Sequence, residues 1–116
     1  MSRTTKKHFK IFKGFVKHYY KKYRLSGWHI YFSHVKISGG HHANMWGDME
    51  TKAVTFRLGK KWSTKITKEK LRKAAKHEVV HLIIWPLFCG GWNRFIREKE
   101  LLALDETTAQ HLSELL

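Results

Sequence analysis

Between Leu71 and Trp85 the apolar residues come so densely that a helix carrying them has to be covered on most of its circumference. Thr67 is placed to cap that helix, Glu69 stands in its first turn, and Pro86 is expected to stop it, which predicts a helix over about 68–85. At its centre lie His77, Glu78 and His81. Residues four apart stack on one face of a helix, so the two histidines share a face while Val79, Val80 and Leu82 suit the core. The other elements must therefore pack around this helix and leave only the histidine face open to a cleft.

The chemistry of that face follows from its spacing. In His77-Glu78-Val79-Val80-His81 both rings can reach a single metal ion, and a carboxylate beside the first ligand can point at a water there. This HExxH arrangement is a metallopeptidase signature, and it implies one Zn2+ per chain. A third protein ligand is needed, and a helix returning across the first is an economical source. Glu98, Glu100, Asp105, Glu106 and His111 are the candidates. Glu106 is preferred, because Ala109, Leu112 and Leu115 would pack its helix inward and Gln110, one turn on, could hydrogen-bond a ligand imidazole. Asp105 remains the rival, since it shares a stripe with Leu101, Ala109, Leu112 and Leu116.

Length and charge bound the rest. A chain of 116 residues, 42 % of them hydrophobic, supports one domain with one core. The lone Cys89 excludes an internal disulfide or a zinc ribbon, suits a reducing compartment, and reads as a small hydrophobe at a helix end. No signal peptide is recognisable, and the longest apolar run, Val79 to Phe88, is too short to span a bilayer, so a soluble, cytoplasmic protein is expected. The formal net charge is +14, and from Arg3 to Arg24 every charged residue is basic, whereas Glu98, Glu100, Asp105, Glu106 and Glu114 gather near the C-terminus. Such a basic segment attracts nucleic acid, anionic lipid or an acidic protein, or serves only as a solvated face.

The remaining elements complete an α+β order. Phe9, Phe12, Val16, Tyr19, Tyr20 and Tyr23 recur at helical spacing, predicting a basic N-terminal helix over about 5–23 with an aromatic core stripe. Trp28, Ile30 and Phe32 alternate with His29 and Tyr31, and Val35 and Ile37 extend the pattern, which reads as one or two strands. Gly39-Gly40 opens a polar loop through His41 to Asp48, and Lys52 to Leu58 alternates as a second strand. Gly90-Gly91 reads as a turn rather than a phosphate cradle. An acidic C-terminal helix follows over about 93–116, with a break expected near Leu104 or Asp105. Trp46, Trp62, Trp85 and Trp92 read as core or cleft-wall residues.

In this order of elements, with HEVVH on its helix, the chain resembles the small zincin-like metallopeptidases of phages and mobile elements, in the glutamate-zincin branch. Glu106-Thr107-Thr108-Ala109-Gln110-His111-Leu112-Ser113 loosely resembles the E-x-x-A-N-x-F-A pattern of repressor-cleaving peptidases. SprT and Spartan-like proteases also share HExxH, a small size and an association with nucleic acid, but one cysteine cannot build their zinc ribbon. Ile84 and Leu87 stand where a metzincin has its glycine and third histidine, which excludes that class. The resemblance implies a minimal zincin: a small, mostly antiparallel sheet packed on helices, the HEVVH helix below an active-site cleft, and an edge strand, here Lys52 to Leu58, that pairs with substrate backbone.

The implied activity is zinc-dependent hydrolysis of peptide bonds in an intracellular protein substrate, with Glu78 as general base and His77, His81 and Glu106 as metal ligands. Tyr31, His34, His41 and His42 are candidates for stabilising the oxyanion, with His41 and His42 otherwise an exposed loop. The alternative is a nucleic-acid-binding or partner-binding basic module in which zinc only staples the helices. Glu78 separates the two readings, because a structural site has no need of a carboxylate beside its first ligand.

Overall fold

The structure is a computed structural model; it describes the backbone of residues 2–90 and 98–116, and the side chains of these except 87–90 and 98–105. The elements run β1 (Ser2–Arg3), α1 (Lys6–Lys22), β2 (His29–Val35), a short turn of 3-10 helix at Ser38–Gly40, β3 (Ala43–Asp48), β4 (Ala53–Gly59), β5 (Lys61–Trp62), α2 (Lys68–Gly90) and α3 (Glu98–Leu115). The class is α+β. A three-stranded sheet has the order β2-β4-β3, and β1 pairs with β5 in a separate antiparallel ribbon.

Each helix forms for local reasons visible in the chain. Thr5 caps α1 in both directions: its hydroxyl accepts from the His8 N–H at 3.3 Å, and its own N–H donates to His8 Nδ1 at 3.0 Å. The aromatic stripe then buries Phe12, Val16 and Tyr19, as its spacing requires. In α2 the Thr67 hydroxyl accepts from the Lys70 N–H at 3.1 Å. Pro86 does not stop this helix, which runs on to Gly90. A proline already has a helical φ and withdraws a single N–H, so a helix with enough packing continues through it. Likewise α3 is unbroken at Leu104 and Asp105. Residues 93–97, where the C-terminal helix was expected to begin, lie outside the described residues, as do Gly91 and Trp92 and the side chain of Cys89.

The sheet corrects two expectations. The strand read as Lys52 to Leu58 is β4, and it occupies the centre rather than an edge: β2 runs parallel to it from His29↔Ala53 to Val35↔Gly59, and β3 antiparallel from Ala43↔Leu58 to Asp48↔Ala53. Alternation along one strand reports a buried face and says nothing of how many neighbours lie in the plane. The main sheet is accordingly mixed. The second correction concerns His41 to Asp48, expected as a loop, most of which is β3. Asn44, Gly47 and Asp48 are poor strand formers, but a hairpin turn delivers them to β4. There Asp48 Oδ1 accepts from the Glu50 N–H at 2.9 Å, and Lys52 takes φ 56° to close the reversal.

Val54, Phe56 and Leu58 of β4 are 0–1 % exposed and join Phe12 and Val16 of α1 and Leu71, Ala75, Val79 and Leu82 of α2 in the main core. A second, smaller cluster seats α3: Val80 and Ile84 of α2 pack on Ala109, with Ile83, Leu112 and Tyr23 around them. Among the described residues no helix is long and apolar enough to cross a membrane.

Candidate metal centre

His77, Glu78 and His81 stand on α2, and their potential ligand atoms lie within 4.8 Å of one another. Because Val79, Val80 and Leu82 are locked in the two cores, the rotation of α2 is fixed and its histidine face is directed into a cleft. The seat of Ala109 on Val80 and Ile84 sets α3 so that Glu106, three residues earlier, reaches the same point.

There His77 Nε2 lies 2.7 Å from Glu106 Oε1, His81 Nε2 lies 3.0 Å from Glu106 Oε2, and the two Nε2 atoms are 3.2 Å apart. The rings are perpendicular, at 89°. The side chains of His77 and His81 are only 18 % and 8 % exposed, whereas that of Glu106 is 64 % exposed, so the carboxylate closes the site from its rim. Glu78 is buried beside them, at 6 %. Burial pushes the Glu106 carboxyl up, but the hydrogen bond from His77 and the charges of His81 and His77 outweigh it and hold the group below the usual carboxylate range.

This triangle fits a cation better than it fits protons. Each Nε2 carries one hydrogen or one lone pair, and a carboxylate only accepts. If both imidazoles donate to Glu106, two N–H groups face each other; if one donates to the other, the acceptor imidazole turns a lone pair toward a carboxylate oxygen. With Glu106 ionised, one edge is always repulsive. A single cation inside satisfies all three, and tetrahedral zinc with bonds near 2.0–2.1 Å sets its donors about 3.3 Å apart, close to the spacing of the two Nε2 atoms.

The cleft lies between β3 and α2, with α3 at one side; His42, just before the strand, and Met45 and Trp46 within it line one wall, and Lys73, His77 and Trp85 line the other from the helix. Of the oxyanion candidates, His41 and His42 line it, while Tyr31 and His34 do not. Tyr31 is exposed on β2, across the sheet from β3, and His34 Nε2 lies 2.6 Å from Thr4 Oγ1 with its ring stacked on Phe9. His42 is half-buried rather than a loop residue in water, with its ring stacked on Trp62 at 4.1 Å. Burial first, then Lys70 and His41, hold it below the usual imidazole range.

Among the other ligand candidates, His111 is exposed and does not line this cleft, and the side chains of Glu98, Glu100 and Asp105 lie outside the described residues. Gln110 does not serve a ligand imidazole; its amide donates to Glu114 Oε1 at 3.1 Å. The aromatic end of the cleft was read too generally. Trp46 and Trp85 meet edge to face at 5.6 Å, and Trp85 lies so close over Gly47 that a Cβ there would stand 2.9 Å from its Nε1. Two signals bore on this wall: Trp85 follows His81 by four residues, hence on the same face, and a glycine inside a strand marks close approach.

A comparison of the chain with protein-family models, with curated proteins and with solved structures finds no significant match.

Proposed function

We propose that this protein is a zinc-dependent peptidase of the minimal zincin type. The observation that carries the reading is the convergence of His77 Nε2, His81 Nε2 and the Glu106 carboxylate within 2.7–3.2 Å of one another, with buried Glu78 beside them. His77, His81 and Glu106 would hold the zinc ion, which when bound would supply acidification of a water and polarisation of a substrate carbonyl. Glu78 accepts the proton of the attacking water and returns it to the departing amine, and its burial keeps it out of bulk solvent while it does so.

The substrate strand is held by β3. The Gly59 N–H donates to the His42 carbonyl at 2.8 Å, and the antiparallel alternation that follows leaves the backbone groups of Ala43, Met45 and Gly47 facing away from β4. Among the described residues no strand pairs with that side of β3. An extended polypeptide added there runs alongside α2, past the three ligands.

One further observation bears on partners. Lys6, Lys10, Lys13, Lys17 and Lys21 fall on one stripe of α1, opposite Phe12, Val16 and Tyr19, with no acidic residue in the helix. This stripe supports nucleic acid as a second partner, bound through phosphates with strong salt dependence. A single cysteine and the absence of any membrane-crossing helix among the described residues fit action in the cytoplasm, which belongs to the same proposal.

The test is digestion of a proteome-derived peptide mixture followed by mass spectrometry. Zinc-loaded wild type is expected to generate new termini that a chelator and Glu78→Gln both abolish. Identical peptide maps for wild type and Glu78→Gln would leave the site as a structural staple.

A further inference from the structure

The face of α2 that floors the cleft has three zones. Lys70, Lys73, His77, His81 and Trp85 succeed one another at spacings of three and four residues, so they form one continuous stripe that reads basic, then metal-ligating, then aromatic. Strand β3 runs alongside in the same sense. At one end Lys70 acts on His42, its ammonium held by the Lys65 carbonyl at 3.0 Å, and at the other Trp46 meets Trp85. Neither zone supplies a metal ligand, and the core explains neither: the Lys73 side chain is exposed, and Trp46 is 60 % exposed in a chain with few exposed large hydrophobic side chains among its described residues. Exposed aromatic surface next to a cleft marks a binding site.

We infer that the cleft selects an extended peptide carrying an acidic side chain on one side of the scissile bond, against Lys70 and Lys73, and an aromatic side chain on the other, against the exposed ring face of Trp46 where it meets Trp85. Along the helix Lys73 and Trp85 each lie about 9 Å from the midpoint of His77 and His81. At about 3.3 Å per residue of extended chain, the two specificity side chains stand about three residues to either side of the cleaved bond. The stem of Lys73 reaches far enough to pair with Glu or Asp, and the edge-to-face indoles leave a ring face for stacking. This rests on the peptidase reading for its scissile bond, but the binding preference is measurable without turnover.

The experiment is fluorescence anisotropy on Glu78→Gln, with zinc content measured on the same samples. The probes are labelled ten-residue peptides with Phe at one position and Glu, Gln or Lys six residues away. The Glu peptide is expected to bind about tenfold more tightly than the Gln peptide, and the Lys peptide most weakly. Adding Lys70→Glu and Lys73→Glu should abolish the preference, with circular dichroism and zinc content on the same samples matching Glu78→Gln. Lys36→Glu with Lys61→Glu, the same change in net charge at exposed positions that do not line the cleft, should preserve it, and Trp46→Ala should weaken every Phe peptide. Equal losses from the two charge-reversed pairs, or no difference between the Glu and Gln peptides, would overturn the inference. Absence of zinc from the samples would count against the peptidase reading instead, and the ranking of the three peptides would still decide this one.

Discussion

Among the described residues the two clusters that hold α2 differ in scale, and the candidate metal centre straddles them. On one side, α1, the sheet and α2 share a core containing Phe12, Phe56, Leu58 and Trp62, all 0 % exposed. On the other, α3 is seated through Val80, Ile84 and the small side chain of Ala109. His77, Glu78 and His81 are therefore fixed by the larger core, while Glu106 arrives on a helix seated, among the described residues, by the smaller cluster. A metal site built this way would have two pre-set ligands and a third whose position is coupled to metal binding. On the proposed reading, zinc would do for α3 what the main core does for α2.

The sharpest way to break this comparison is to remove its strong side. Phe56→Ala should cost about 3–5 kcal/mol in denaturant unfolding, because it empties the centre of the sheet-facing core, and zinc binding should be lost with the fold. Next in size is zinc itself. At a free concentration about 100 times its dissociation constant it should stabilise the chain by about 2.7 kcal/mol, and hydrogen exchange should show the gain chiefly in α3. An equal gain throughout β4 would mean that the two regions form one cooperative unit.

Overpacking the weak side should cost less. Ala109→Phe forces a ring between α3 and the Val80–Ile84 surface, at about 1–3 kcal/mol. Zinc affinity should fall while β4 amides keep their protection; loss of both together would show that the small cluster carries more of the fold than its size suggests. The smallest effect is a pH dependence seated in the large region. Burial, and then Lys60 and His8, hold His34 below the usual imidazole range, and His42 is lowered for the reasons already given. The unfolded chain takes up protons more readily at both rings. Their contribution to stability is thus complete above about pH 6.5 and is lost as pH falls from there through the depressed folded values. Metal-free protein carrying His34→Gln and His42→Gln should show a shallower fall in thermal midpoint between pH 7 and 5; an unchanged slope would remove these rings from the account.

How much of this was legible in the sequence follows the same division. Where period and local chemistry decide, the reading was sound: the aromatic stripe of α1, the alternation of β4 and the Thr67 cap. Where non-local pairing decides, it was not. The position of β4 between two neighbours depends on β3, whose Asn44, Gly47 and Asp48 give little strand signal of their own. Pro86 is expected to stop α2, but it removes only one donor and its φ is already helical, so the helix runs on to Gly90. Tyr31 and His34 were singled out as candidates by residue type alone, and the strand order sends them away from the cleft. The subsite stripe was within reach, because Lys70, Lys73 and Trp85 share the helical phase of His77 and His81.

The central claim is that His77, His81 and Glu106 together hold one zinc ion, and metal content by mass spectrometry tests it most directly. Wild type and Glu78→Gln should each purify with one zinc per chain under zinc-replete conditions, the His77→Ala/His81→Ala double variant with none, and Glu106→Ala with a fraction that washes out on dialysis. Zinc-free wild type, or a Glu106→Ala variant that holds zinc as tightly as wild type, would contradict it.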